Sequence, residues 1–176
     1  QQSVPKGQGG MIAILGLNSD EFEKILQDNE ELECYIANDN TVGQIVASGK
    51  IESLKKIKSL LISKNIKHLE LPVSAPFHCP LMRNATEQMT KIINNTEFKK
   101  PEVDIISNVT ANPINDPKEI KKLLIKQIES RVRWRESIIN MINLGTDQFI
   151  EVGPGKILSG LVKRIDRKIK INQVNN

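Results

Sequence analysis

The chain has 176 residues, 39% of them hydrophobic, and a formal net charge of +4, values that suit one ordinary domain or two small ones. They exclude a disordered chain, a collagen-like chain and a membrane bundle. The apolar run at residues 11–17 is far shorter than the roughly 20 residues of a membrane helix. No basic stretch precedes that run, so a signal peptide is not expected either. Two cysteines make no disulfide framework, which leaves a reducing, cytoplasmic setting as the default. With only two histidines, a structural zinc site is not expected. The chain begins at Gln1 instead of methionine, so the expectation is an upstream segment removed or a longer parent protein.

After a polar lead-in over residues 1–8, residues 11–17 read as a buried strand. Asn18 and Ser19 are helix N-cap candidates, Glu21 stands three positions after Asn18 as in a capping box, and Phe22, Ile25 and Leu26 follow at helical spacing. Residues 34–37 and 44–47 read as short strands separated by the turn-rich Asn38-Asp39-Asn40-Thr41. Residues 51–64 read as a helix with Ile51, Leu54, Leu61 and Ile62 on one stripe, and residues 68–73 as another strand. The order is strand, helix, strand, strand, helix, strand, the split βαβ or ferredoxin-like arrangement.

From Ser74 the pattern changes. Pro76 and Pro80 bracket Phe77-His78-Cys79 in a stiff loop that leads into a helix with Leu81, Ala85, Met89, Ile92 and Ile93 inward. A strand at 103–106, helices at 118–130 and 135–144, a strand at 148–152, a helix at 156–165 and a strand at 169–174 follow. This half reads as parallel α/β with few strands, a domain only partly represented.

The turn Gly153-Pro154-Gly155-Lys156 invites comparison with a phosphate loop. That pattern needs a glycine where Ile150 stands and a hydroxyl residue where Ile157 stands, so a tight strand-to-helix turn is the better reading. Of the histidines, His68 lies in an alternating strand and is expected to face solvent. His78 sits in a proline-pinned loop between a strand and a helix, where α/β folds place reactive groups. Its nucleophile is not evident. None of the ten glycines has a serine two residues on, as a G-x-S-x-G elbow requires. Cys79 adjoins His78, and neighbouring side chains of an extended segment point apart. The bases Arg131, Arg133 and Arg135, and the group Lys163, Arg164, Arg167, Lys168 and Lys170, suit an acidic partner or a solvated face.

Three stretches carry a resemblance. Leu71-Pro72-Val73-Ser74-Ala75-Pro76-Phe77-His78-Cys79-Pro80-Leu81-Met82 resembles the histidine motif of malonyl-CoA:acyl-carrier-protein transacylases. Glu151-Val152-Gly153-Pro154-Gly155-Lys156-Ile157-Leu158-Ser159-Gly160-Leu161 resembles that family's C-terminal signature. Ala37-Asn38-Asp39-Asn40-Thr41-Val42-Gly43-Gln44-Ile45-Val46-Ala47-Ser48-Gly49 is similar to its small-domain hairpin, with Thr41-Val42 in place of the common Ser-Pro. Together they span essentially the whole chain, in the family's order.

The resemblance implies an α/β fold with an α+β insert. Residues 9–73 would form a ferredoxin-like βαββαβ small domain, and residues 74–176 the C-terminal part of an α/β-hydrolase-like acyltransferase domain. Residues 1–8 would be a lead-in from a large-domain portion that precedes them. The implied activity is transfer of malonyl from coenzyme A to the thiol of acyl carrier protein in fatty acid biosynthesis, through a malonyl-serine ester. Malonyl-CoA is the substrate, and neither cofactor nor metal is implied. His78 takes the role of general base, the main-chain carbonyl of Gln127 orients it, and Phe77 belongs to the substrate pocket, where its ring would crowd a 2-methyl group. The basic groups would face acidic carrier protein.

The family's oxyanion-hole Gly-Gln-Gly, its G-H-S-x-G nucleophile elbow and its carboxylate-clamping arginine fall upstream of Gln1. The chain alone is therefore expected to be inactive, and a separately encoded N-terminal half is an implied partner. Other readings are a catalytically inactive remnant that binds carrier protein or coenzyme A, and a ferredoxin-like nucleic-acid-binding module. The last needs exposed aromatics on its sheet, and only Phe22 and Tyr35 fall in the small domain.

Overall fold

The computed structural model describes residues 7–174, so most of the expected lead-in, residues 1–6, lies outside the described residues. β1 (Gly9–Leu15) is buried along six of its seven residues. Helix α1 (Ser19–Gln27) starts at the expected capping box. Asn18 Oδ1 accepts the Glu21 N–H at 2.9 Å, and the Glu21 carboxylate accepts the Asn18 N–H at 2.9 Å, which satisfies two of the orphan donors at a helix start. β2 (Cys34–Thr41), β3 (Gln44–Lys50), helix α2 (Ile51–Ser63) and β4 (Lys67–Glu70) complete a four-stranded antiparallel sheet in the order β2-β3-β1-β4.

Three expectations need correction in this half. The polar stretch Asn38-Asp39-Asn40-Thr41 is strand, broken by register shifts between Ile36 and Asn38 and between Asp39 and Thr41. The chain reverses instead at Val42 and Gly43, where the glycine takes φ +75°, a conformation that strains other residues. On α2 the buried stripe runs through Leu54, Ile57 and Leu61, while Ile62 is 66% exposed, because a step of one residue turns it away from the sheet. His68 is half-buried, not solvent-facing. It pairs with buried Ile14 and so shares that residue's face, which leaves Leu69 exposed on the other.

Both helices cover one face of the sheet, burying Phe22, Leu54, Ile57 and Leu61 against Ile12, Ile14 and Ile45. The opposite face, at Met11, Ala37 and Val46, is covered by Leu71, Val73 and Phe77. The segment that follows β4 thus lies across the sheet and delivers His78 to its end.

The second half contributes a 3-10 turn at Pro80–Met82, helix α3 (Arg83–Asn95), β5 (Ile105–Ile106), β6 (Pro113–Ile114), α4 (Pro117–Lys126), α5 (Trp134–Asn143), β7 (Gln148–Val152), α6 (Ile157–Ile165) and β8 (Lys170–Val174). The expected strand at 103–106 shrinks to two residues and pairs antiparallel with β6. Among the described strands, β7 and β8 form the one parallel ladder. On α3, Ile93 packs inward but Met89 and Ile92 are exposed, contrary to expectation. The fold is mixed α/β.

The two halves meet at β2. Val132 donates its N–H to Ala37 O at 2.8 Å and accepts the Asp39 N–H at 3.0 Å, an isolated parallel bridge.

Candidate active site

Pro76 and Cys79 are fully buried and hold the histidine loop between them. Cys79 Sγ donates to Pro76 O at 3.1 Å, closing a turn over Phe77 and His78, and Ser48 Oγ lies 3.5 Å from the same sulfur. Within that turn His78 takes φ +60°, a left-handed conformation that is uncommon outside glycine. The loop is therefore a turn and not an extended segment, yet the histidine and cysteine side chains still diverge.

The His78 ring is fixed from a distance in sequence. Its Nδ1 lies 3.1 Å from the main-chain carbonyl of Gln127. A carbonyl only accepts, so Nδ1 carries the proton of this contact, and a ring with one proton there leaves its free lone pair on Nε2. Gln127 is the C-cap residue of α4, where the final carbonyls lack intrahelical donors. The helix itself is placed by Asp116, whose carboxylate accepts the Glu119 N–H at 2.9 Å, with Pro117 in its first turn.

His78 opens onto a cleft of about 650 Å³ between α1, β2 and the segment after α4, lined among others by Cys34, Tyr35, Pro80, Glu129 and Arg131. No serine or threonine is among the described residues that line it. Burial pushes the Cys34 thiol up to about 12, so it stays protonated at neutral pH and is no nucleophile. Burial raises Cys79 as well. Phe77 does not line the cleft. It is half-buried and packs on Ala75 and Met82 on one side and on Met11, Ala37 and Val46 on the other.

The arginines after α4 are not free to meet an acidic partner, which corrects that expectation. Arg131 Nη1 reaches Glu23 Oε1 at 2.8 Å, Arg133 pairs with Glu136 and donates to Thr110 O at 3.1 Å, and Arg135 forks onto Asp39. Of the C-terminal bases, Lys163 donates to the carbonyls of Arg167 and Ile169 and Arg164 meets Gln44, while Arg167, Lys168 and Lys170 are exposed.

The Gly153–Gly155 turn has the geometry of a strand-to-helix corner, with φ +131° and +89° at its glycines. Its helix start is already occupied. The Glu151 carboxylate accepts the Leu158 N–H at 3.1 Å, the Ser159 N–H at 2.8 Å and the Ser159 hydroxyl. A carboxylate thus fills the place a phosphate would take. Sequence reasoning missed this cap and the Asp39–Arg135 pair. An acid six positions before the helix it caps, and an acid amid a buried strand, are the signals that could have found them.

No family model matches the sequence. The malonyl CoA-acyl carrier protein transacylase of Bacillus subtilis is 38% identical over 178 residues, which cover 99% of this chain and 56% of the relative. The crystal structure of acyl-carrier-protein-S-malonyltransferase from Bartonella henselae matches at a TM-score of 0.94 and 39% identity, over 99% of this chain and 56% of that one. Over nearly its whole length the chain is similar to the malonyl CoA-acyl carrier protein transacylases. It spans little more than half the length of the curated transacylases it matches, and corresponds to their C-terminal part. A further transacylase structure, that of a type II PKS acyl-carrier protein in complex with its malonyl-transacylase, matches at a TM-score of 0.94 and 30% identity, over 100% of this chain and 58% of that one.

Proposed function

We propose that this chain carries the histidine side of a malonyl-transfer site, moving malonyl from coenzyme A to the thiol of acyl carrier protein in fatty acid biosynthesis. The observation that carries the reading is the Nδ1 contact of His78 with the Gln127 carbonyl at 3.1 Å beside an open cleft. In the proposed cycle Nε2 of His78 takes the proton of a serine hydroxyl supplied from outside this sequence. The serine oxygen attacks the malonyl thioester, and the proton passes to the departing coenzyme A thiolate. The carrier thiol then gives its proton to His78 and attacks the ester, which releases malonyl carrier protein and restores the serine. Gln127 keeps the proton on Nδ1 throughout, and Phe77, packed between two apolar clusters away from the cleft, braces the histidine loop and does not meet the malonyl group.

The same reading treats residues 9–73 as a ferredoxin-like small domain, supported by the strand order β2-β3-β1-β4 with both helices on one face. Residues 74–176 are then the C-terminal part of an α/β-hydrolase-like large domain. The exposed bases Arg167, Lys168 and Lys170 are the ones available to acidic carrier protein. Both free cysteines are buried, in keeping with a cytoplasmic setting.

The deciding measurement is malonyl transfer from malonyl-CoA to holo acyl carrier protein by the 176-residue chain, alone and mixed with a polypeptide that bears a G-H-S-x-G elbow. The chain alone is expected to form no malonyl carrier protein. The mixture is expected to turn over, and His78→Ala to lower that rate by about 10²–10⁴-fold. Enzymatic turnover by the chain alone, or a mixture indifferent to His78→Ala, overturns the proposal.

A further inference from the structure

Arg135 reaches from the start of α5 into β2. Its Nε lies 3.0 Å from Asp39 Oδ1 and 3.2 Å from Oδ2, and its Nη2 lies 2.8 Å from Oδ2. The Asp39 side chain is 2% exposed, and Ser19 Oγ donates to it at 3.4 Å. This is a forked, charge-assisted pair, geometrically the most specific contact between the two halves. Its desolvation cost cancels much of its attraction, so added stability is a poor explanation for it. Fixing register is a better one.

What it would register is close by in the chain. The residues between the Gln127 carbonyl and Arg135 form a strap across the end of β2. The strap is tied by the two hydrogen bonds of Val132 to Ala37 and Asp39, and by the Arg133 N–H to Asn108 O at 3.0 Å. Asp39 therefore meets the strap twice, donating its N–H to Val132 O and accepting from Arg135 at its carboxylate. β2 shifts register on both sides of Asp39, so the ladder with β3 alone does not define where this residue sits.

We propose that Asp39 and Arg135 are positioning residues: their ion pair sets the strap against β2 and so places the Gln127 carbonyl that holds the Nδ1–H of His78. The inference rests on the reading of His78 as the base, and neither residue touches the ring.

The test is the tautomer of His78 in the folded chain, read from the ring nitrogen shifts of ¹⁵N-labelled protein, with His68→Gln to assign the signals. The parent is expected in the Nδ1–H form. Arg135→Met, which strands Asp39, and the volume-matched Asp39→Leu/Arg135→Met double variant, which strands nothing, are both expected to lose that preference by about fivefold, the worth of one hydrogen bond. Asp39→Asn, which keeps an acceptor for Arg135, is expected to fall between. A double variant that folds and stays in the Nδ1–H form overturns the clamp, whatever its melting temperature, because a merely structural pair would shift only the latter. Failure of the base reading shows separately, as malonyl transfer that survives His78→Ala while the tautomer results stand.

Discussion

Gly9 is where the histidine loop rests on the sheet. A Cβ at this position would lie 2.6 Å from Pro76 Cδ and 2.9 Å from Pro76 Cβ. The ring of Pro76 is fully buried and rigid, so it cannot swing aside. Gly9→Ala is expected to destabilise the chain by about 1–3 kcal/mol through overpacking, measured as a lower urea midpoint with an unchanged m-value. Full stability in that variant would mean that the loop moves freely over β1. At this scale the sequence was readable where a residue's own chemistry speaks. The two prolines marked a stiff loop, and it is one, with Pro76 fully buried and His78 held inside the turn. The partner of that histidine is a main-chain carbonyl, which every residue carries, so position 127 came only from the family resemblance. The Gly9 contact had no signal in the sequence, because a close approach depends on what arrives from 67 residues away in the chain.

At the scale of elements, α6 depends on one carboxylate. The Ser159 hydroxyl and the Ser159 and Leu158 amides donate to Glu151 and hold its carboxyl below the usual carboxylate range. A depressed folded value means that Glu151 adds stability above the unfolded value of about 4.3 and loses it as pH falls through the lower folded value. Glu151→Ala is expected to lower the thermal midpoint at neutral pH, and the gap from the parent to narrow progressively as the pH falls below about 4.3. A gap that persists in acid would assign the effect to packing. The same distinction between near and distant partners explains which elements were legible. α1 carries its capping box within four residues and was readable in full. Asn38-Asp39-Asn40-Thr41 has turn composition, but Val132 and Arg135 supply its backbone and side-chain partners from the other half and draw it into β2. Local propensity lost to tertiary context there.

For the whole molecule, the parallel pair β7–β8 sets the unresolved demand. The inner positions Phe149 and Ile171 pack on Ile138, Val162 and Ile169, while Ile150, Val152 and Val174 on the other face are 59%, 76% and 51% exposed. Val152 pairs directly with Val174, and Ile157 and Leu158 at the start of α6 are exposed as well. Parallel strands are normally covered on both faces and flanked by further strands. The sequence suggested three strands in this half, and the two that are parallel make the sheet thinner still, because β5 is diverted to pair with β6. Alternation revealed which residues are strand, but not which strand lies beside which. In the isolated chain this face is expected to drive self-association, seen by sedimentation as a mass that rises with protein concentration. Ile150→Lys/Val152→Lys places charge on the open face without touching the packed one, and is expected to return the chain to a monomer. A parent that sediments as a monomer at every concentration and unfolds in one cooperative step would show that two parallel strands with one bare face suffice for this half.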